Sequence, residues 1–170
     1  MIYTVECNFA DPDSEAEWNQ FYSLQKLPAL ISVSGFHTSQ RFKALSNDCP
    51  DYLALHSIDD LHVLQSDEYR HKGGGNFARW QQHITDWQRN LYGGLDRAPA
   101  IDTDHYLVVS TIGPEPLIDA GLRPYPLHAV ALDRHPAQRW LATLDRPLVF
   151  EAGVHVYRPM AEQLTSSRDE

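Results

Sequence analysis

The feature that most limits what this chain can fold into is a set of short segments whose β-branched and aromatic residues recur with a period of two. Residues 2–9 (IYTVECNF), 36–45 (FHTSQRFKAL) and 52–58 (YLALHSI) each read as a strand. Only the turn SNDCPD separates the last two, which are expected to pair as an antiparallel hairpin. A longer stretch separates the first two, and in it Trp18, Phe21, Tyr22 and Gln25 recur at helical spacing. Ser14 and Glu17 fit a capping box at its start, and Pro28 is expected to end or kink the helix before Gly35. Asp59 is placed to cap a short helix from 60 to about 66. Phe77, Trp80, Ile84, Trp87 and Leu91 then make one apolar stripe, which predicts a long helix over 77–91 with a fourth strand beyond it.

Strand, helix, strand, strand, helix, strand is the split order of a ferredoxin-like module, an α+β arrangement with helices outside an antiparallel sheet. The remainder reads as a shortened second copy. Residues 105–112, 127–133 and 149–157 are predicted strands, EPLIDAG a single helical turn, and 136–144 a helix with Pro136 near its start. The strand–turn–helix rhythm of YLALHSIDDLHVL recurs in LHAVALDRHPAQRWLATL, a weak internal repeat. An unrelated C-terminal extension is the alternative. The expected division is a module over 1–100, an abbreviated second module over 101–160, and a polar, frayed tail over 161–170.

A chain of 170 residues suits one mid-sized domain or two small modules sharing a core. The net charge of −9 gives no electrostatic basis for binding nucleic acid or anionic lipid. The two cysteines, Cys7 and Cys49, show no CxxC spacing, so neither a disulfide framework nor a zinc ribbon is expected. Reduced thiols fit a cytoplasmic protein. The N-terminus has neither a basic n-region nor a long apolar stretch, and no apolar run reaches membrane-spanning length, so no membrane partner is expected. Nine histidines raise the question of a metal, but none falls in HxH, HExxH or HxxxH spacing; the expectation is no metal and no cofactor.

Residues 68–80, EYRHKGGGNFARW, raise a second question, because three glycines lie among basic residues. A P-loop needs GxxxxGK[ST] after a strand, and a dinucleotide site needs GxGxxG; neither is present. Gly73, Gly74 and Gly75 read as a reversal between two helices, with Asn76 as the N-cap of the second. The competing reading is an anion held by helix-start amides between Arg70 and Arg79.

LPALISVSGFHTSQRF, followed by YLALHSIDD and SDEYR, resembles the dimeric α/β-barrel superfamily, in its EthD-like and antibiotic-monooxygenase-like branches. The resemblance covers about residues 1–92 and rests on the Leu27-Pro28 helix end, the Gly35-Phe36 strand start and the Tyr52 strand running into Asp59-Asp60. It implies ferredoxin-like modules packed sheet to sheet around a barrel interior that takes a small, mostly apolar ligand. It also implies a homodimer, unless a tandem copy closes the barrel within one chain. Members include monooxygenases, polyketide cyclases, isomerases and haem-degrading enzymes, so the fold leaves the activity open. Many relatives carry His immediately before the Leu-Pro pair; this chain has Lys26.

Alternation sorts the strand side chains onto two faces. If the more apolar faces pack on the helices, His37, Ser39, Arg41, Tyr52 and His56 turn toward the barrel interior. Either face of the first strand satisfies the period; one of them brings Glu6 to that side with Thr4 and Asn8. His56 as general base with Glu6 as its orienter is the expected catalytic pair, since an imidazole titrates near neutrality. His37 and Arg41 are expected to hold a ligand oxygen. Tyr52, His83 (on the predicted long helix) and His155 (on the last strand) complete the predicted binding set. The function expected from this set is binding of an aromatic or polyketide-like compound, with proton transfer as in an isomerase, cyclase or cofactor-free monooxygenase. The alternative is a non-catalytic binding or assembly module.

Overall fold

The computed structural model describes residues 1–73 and 77–169. Strand β1 (Ile2–Phe9) leads into a helical arm of three parts: α1 (Glu15–Phe21), a wide π turn (Tyr22–Lys26) and α2 (Leu27–Ile31). Strands β2 (Phe36–Ala44) and β3 (Tyr52–Ile58) form the hairpin the sequence predicts. Two short helices follow, α3 (Leu61–Leu64) and α4 (Asp67–Lys72), then a 3-10 turn (Ala78–His83) and β4 (Ile84–Gly93). The second half holds β5 (Tyr106–Ser110), α5 (Glu115–Asp119), β6 (Tyr125–Leu132), β7 (Gln138–Leu144) and β8 (Val154–Pro159). A two-residue strand β9 (Leu164–Thr165) lies along β2.

Eight strands close into an antiparallel barrel in the order β3-β1-β4-β6-β7-β5-β8-β2, with β2 returning to β3. Numbered within each half, the order is 2-3-1-4 twice in the same direction round the ring. Closure within one chain removes the unpaired edges that would otherwise invite a partner strand.

Two predicted helices are strands. In β4, Trp87, Arg89 and Leu91 turn outward while Gln88, Asn90 and Tyr92 turn inward, a period of two that the apparent stripe concealed. That stripe spans two elements, a 3-10 turn and a strand, and pairing of β4 with β1 on one side and β6 on the other decides the conformation. In β7, Arg139 and Leu141 point inward and Trp140, Ala142 and Leu144 outward; a short apolar run carries no period that separates strand from helix.

Smaller corrections have local causes. Pro28 does not end the helical arm, because the π turn places it at the start of α2, where a missing N–H leaves no bond unmade. Ser14 precedes α1 but makes no cap; its hydroxyl donates to Asp11, and Glu17 pairs instead with Arg79. Asp60, not Asp59, caps α3 by accepting from the His62 amide. The C-terminal tail is tied down: β9 pairs with β2, Arg168 donates to the Val33 carbonyl, and Asp169 bonds His37.

Side chains fill both sides of the sheet. Inside the barrel, Ile2, Phe42, Leu53, Leu55, Tyr92, Leu107, Val109, Leu127, Leu141 and Tyr157 make one apolar cluster. An eight-stranded barrel is just wide enough for side chains to fill, and here they do, so its middle is core rather than a ligand chamber. Outside the first half, Tyr3, Val5, Cys7, Phe9, Tyr52, Ala54 and Ile58 pack against Trp18, Tyr22, Leu27 and Leu30 of the helical arm. A third, smaller cluster lies under α5.

Candidate functional site

The face assignment of β3 is the reverse of the expected one. Tyr52, Ala54 and His56 face the helices, and Leu53 and Leu55 face the barrel, because leucines fill the lumen more fully than the hairpin's polar residues would. His56 pairs across the ladder with Tyr3, whereas Glu6 pairs with Leu53 and points into the barrel. The expected His56–Glu6 pair is therefore not formed; the sheet lies between them.

His56 lines a small cavity between the sheet and the helices. Tyr3, Val5 and Trp87 form its floor with His56; Tyr22, Lys26 and Leu30 come from the helical arm, Tyr69 and Gly73 from the α4 end, and Phe77 beyond it. Its free volume is about 10 Å³, room for about one water molecule. The His56 ring stacks on Tyr3 with centroids 5.4 Å apart and meets Phe36 edge-on at 5.4 Å. Nδ1 lies 2.7 Å from Ser39 Oγ, and Nε2 is buried with no partner among the described residues. If Nδ1–H were the donor, both the buried Ser39 proton and Nε2 would be stranded; if Ser39 donates, only Nε2–H is. The second arrangement leaves fewer groups unsatisfied, so His56 presents an N–H donor to the cavity. Burial pulls its titration down from 6.5 to about 3, so the ring is neutral at ordinary pH.

A second donor stands beside it. Arg89 Nε donates to Tyr3 Oη at 2.7 Å, and Tyr3 and Tyr69 share one hydrogen bond at 3.2 Å. Whichever phenol donates in that bond, the other keeps an O–H with no acceptor among the described residues. Burial raises the Tyr3 phenol well above its ordinary value of 10, so it stays protonated. Lys26 brings an amine to the cavity wall, with Nζ 4.8 Å from the Phe77 ring centre; burial lowers its titration from 10.5 to about 8.

The other predicted site residues are scattered. Glu6 and His155 meet at the mouth of the barrel, in a cleft of about 400 Å³. There Glu6 Oε1 accepts from Arg139 at 2.7 Å, both side chains being buried. His37 bridges Asp59 and Asp169 at 2.6 and 2.7 Å, joining the tail to β3. Arg41 is 3% exposed; its guanidinium lies 3.9 Å from the Tyr22 ring centre and donates to Asn19 and Ser23, pinning the helical arm to the sheet. Tyr52 belongs to the same cluster through Glu15, Asn19 and Lys43. His83, on the 3-10 turn rather than a long helix, leans on Phe9 and lies 3.7 Å from Asp11.

The arginines that flank the glycine stretch are each paired with a carboxylate. Arg70 pairs with Asp67 and Arg79 with Glu17. Gly73 ends α4, and a Cβ there would meet Leu30 at 2.1 Å, so close packing at the cavity wall requires glycine. Gly74, Gly75 and Asn76, with the expected N-cap, lie outside the described residues.

Sequence reasoning missed Tyr3, Tyr69, Lys26 and Arg89. Tyr3 sits on the face of β1 that was passed over. Lys26 was visible as the departure before Leu27-Pro28. Arg89 was hidden by the false helix, although Trp87, Arg89 and Leu91 alternate as a strand should.

No protein-family model matches the sequence, and no curated protein is detectably similar to it. Solved structures share the fold. A crystal structure of an anthrone oxidase-like protein matches with a TM-score of 0.57 and 9% identity, over 98% of this chain and 92% of that one. A candidate monooxygenase from Fusobacterium nucleatum subsp. nucleatum gives 0.59 and 9% over 98% and 94%. Another from Lactobacillus acidophilus NCFM gives 0.55 and 6% over 97% and 96%. At such identities the likeness concerns architecture: an α+β chain built round a closed antiparallel barrel. No helix among the described residues is long and apolar enough to cross a membrane.

Proposed function

We propose that the chain binds a planar aromatic or polyketide-like phenol or ketone against the outer face of the sheet and transfers a proton from it without a cofactor, as a monooxygenase-like, isomerase-like or cyclase-like enzyme does. The observation that carries this reading is a buried donor without an acceptor among the described residues, His56 Nε2–H, beside the hydrogen-bonded Tyr3–Tyr69 phenols on the wall of one aromatic cavity. As it stands the cavity has room for about one water, so a flat ring reaches this wall only where the helical arm or the α4 end moves off the sheet; its oxygen would then accept from His56 Nε2–H and gain strength as it becomes anionic. His56 therefore acts as an oxyanion donor rather than as the base. Lys26, titrating near 8, is the residue that takes the proton in its neutral form. The structural neighbours support the monooxygenase-like side of the family resemblance, and the carbanion of such a substrate can itself reduce oxygen. The 2-3-1-4 strand order in each half supports two ferredoxin-like modules, over 1–100 and 101–160, the second of which keeps only one short helix between its strands. On this reading one cavity per barrel survives, and a homodimer, if formed, serves some purpose other than closing the barrel.

The test uses anthrone as probe, with tryptophan quenching for binding and oxygen uptake for turnover. Binding is expected to weaken ~10-fold in His56→Gln, the worth of one hydrogen bond. Turnover is expected to rise through pH 8 in the wild type and to be lost in Lys26→Met with binding retained. Binding without oxygen uptake or anthrone consumption at any pH favours the non-catalytic module. Binding unaltered in His56→Gln removes the cavity from consideration.

A further inference from the structure

We propose that the mouth of the barrel is a binding site for one divalent transition-metal ion of zinc type, held by Asp48, Cys49 and His155. Asp48 and Cys49 lie on the β2–β3 turn, and His155 on β8; their ligand atoms all lie within 4.8 Å of one another. Sulfur, nitrogen and oxygen in one cluster are the donor set of a borderline-soft ion. The spacing fits. His155 Nε2 is 3.5 Å from Asp48 Oδ2, too long for a useful hydrogen bond, yet close to the ~3.3 Å that separates two donors at about 2 Å round a tetrahedral ion. The turn is held by two backbone amides: Gly153 donates at 2.9 Å to Asp48 Oδ2, the oxygen nearest His155, and Val156 to Ser46 at 3.0 Å.

A second, independent observation points the same way. Among the described residues, His155, 7% exposed, has no partner for Nδ1, and Glu6, 1% exposed on the wall of the same cleft, has none for Oε2. With Nε2–H turned toward Asp48, Nδ1 and Oε2 are both acceptors and cannot satisfy each other. An ion on Nε2 moves the ring proton to Nδ1, which would reach Glu6, the other carboxylate on the wall of the same cleft, through a water. Carboxylate, imidazole and metal in that order is the usual outer support of a metal-bound histidine. The balance is simple: the Cys49 thiol gives its proton to solvent on binding, and no electron moves. The fourth position faces the cleft of about 400 Å³, leaving it to water or a small anion.

Cobalt(II) added to the reduced full chain at pH 7.5 is expected to bind with one equivalent giving a thiolate-to-metal charge-transfer band in the near ultraviolet, which zinc displaces. Cys49→Ser is expected to abolish the band. His155→Gln and Asp48→Asn are expected to weaken binding more than ~10-fold, and Glu6→Gln by ~10-fold. Because Asp102, Asp104 and His105 form an exposed competing group, His105→Gln serves as the control that leaves the band intact. Absence of the band in the wild type overturns the site whatever the variants do. Survival of the band in Cys49→Ser, or an unchanged isotherm in both His155→Gln and Asp48→Asn, overturns it as well.

Discussion

Glu6→Leu is expected to destabilise the protein by about 3–5 kcal/mol, the cost of stranding a buried charge. Arg139 is 4% exposed, its Nε already has no partner, and Glu6 Oε1 at 2.7 Å is the carboxylate that compensates it. Removing the acid leaves a guanidinium facing Tyr92 and the apolar lumen. Removing both charges should cost far less, because replacing a buried pair by apolar groups of similar volume is often neutral. Urea unfolding of Glu6→Leu, Arg139→Met and the double variant decides it. The double variant is expected to lie above Glu6→Leu, and a double variant as weak as the sum of the singles would show that the pair does not act as a unit.

That pair also shows how much of this molecule was legible from sequence. Strand alternation, a local property, shows Glu6 and Thr4 sharing a side but leaves open which side; the structure turns that side into the barrel, away from His56. The partner of Glu6 was not legible, because Arg139 lay in a segment read as a helix and is 133 positions away in the chain. The strands β1, β2 and β3 were legible to within a residue or so, with period and turn residues agreeing. The elements that failed, β4 and β7, are those whose conformation is imposed by neighbours on both sides.

The candidate site failed for a different reason. The rule that the more apolar face meets the helices is sound for a sheet with one buried face, but here both faces are buried, so polarity does not choose between them. Sequence does mark His56 as unusual; only the packing shows that it lies with Tyr3 and Phe36 instead of with Glu6. The same packing decides its chemistry, turning an expected base into a neutral donor.

Burial of His56 predicts an acid-labile fold with a specific signature. The ring titrates near 3 when folded and near 6.5 when exposed by unfolding. Between those values the unfolded chain binds the extra proton, so stability rises with pH across that window and is lost as pH falls. Above 6.5 the residue adds no pH dependence. At pH 4 its share of the loss is roughly 3 kcal/mol relative to pH 7.5, at about 1.4 kcal/mol per unit over the interval. Other groups also contribute to acid unfolding, but they are common to a variant and cancel in the comparison. His56→Gln keeps a polar group for Ser39 and never charges in this range. It is expected to be less stable than the wild type at pH 7.5 by about 1–2 kcal/mol, through imperfect packing on Tyr3 and Phe36. Below about pH 5 the order reverses and the variant becomes the more stable protein. Chemical denaturation at both pH values reads the crossing directly. Parallel curves for the two proteins from pH 7.5 to 4 would mean that His56 accepts its proton without unfolding, and the neutral-donor role assigned to it would fall with that result.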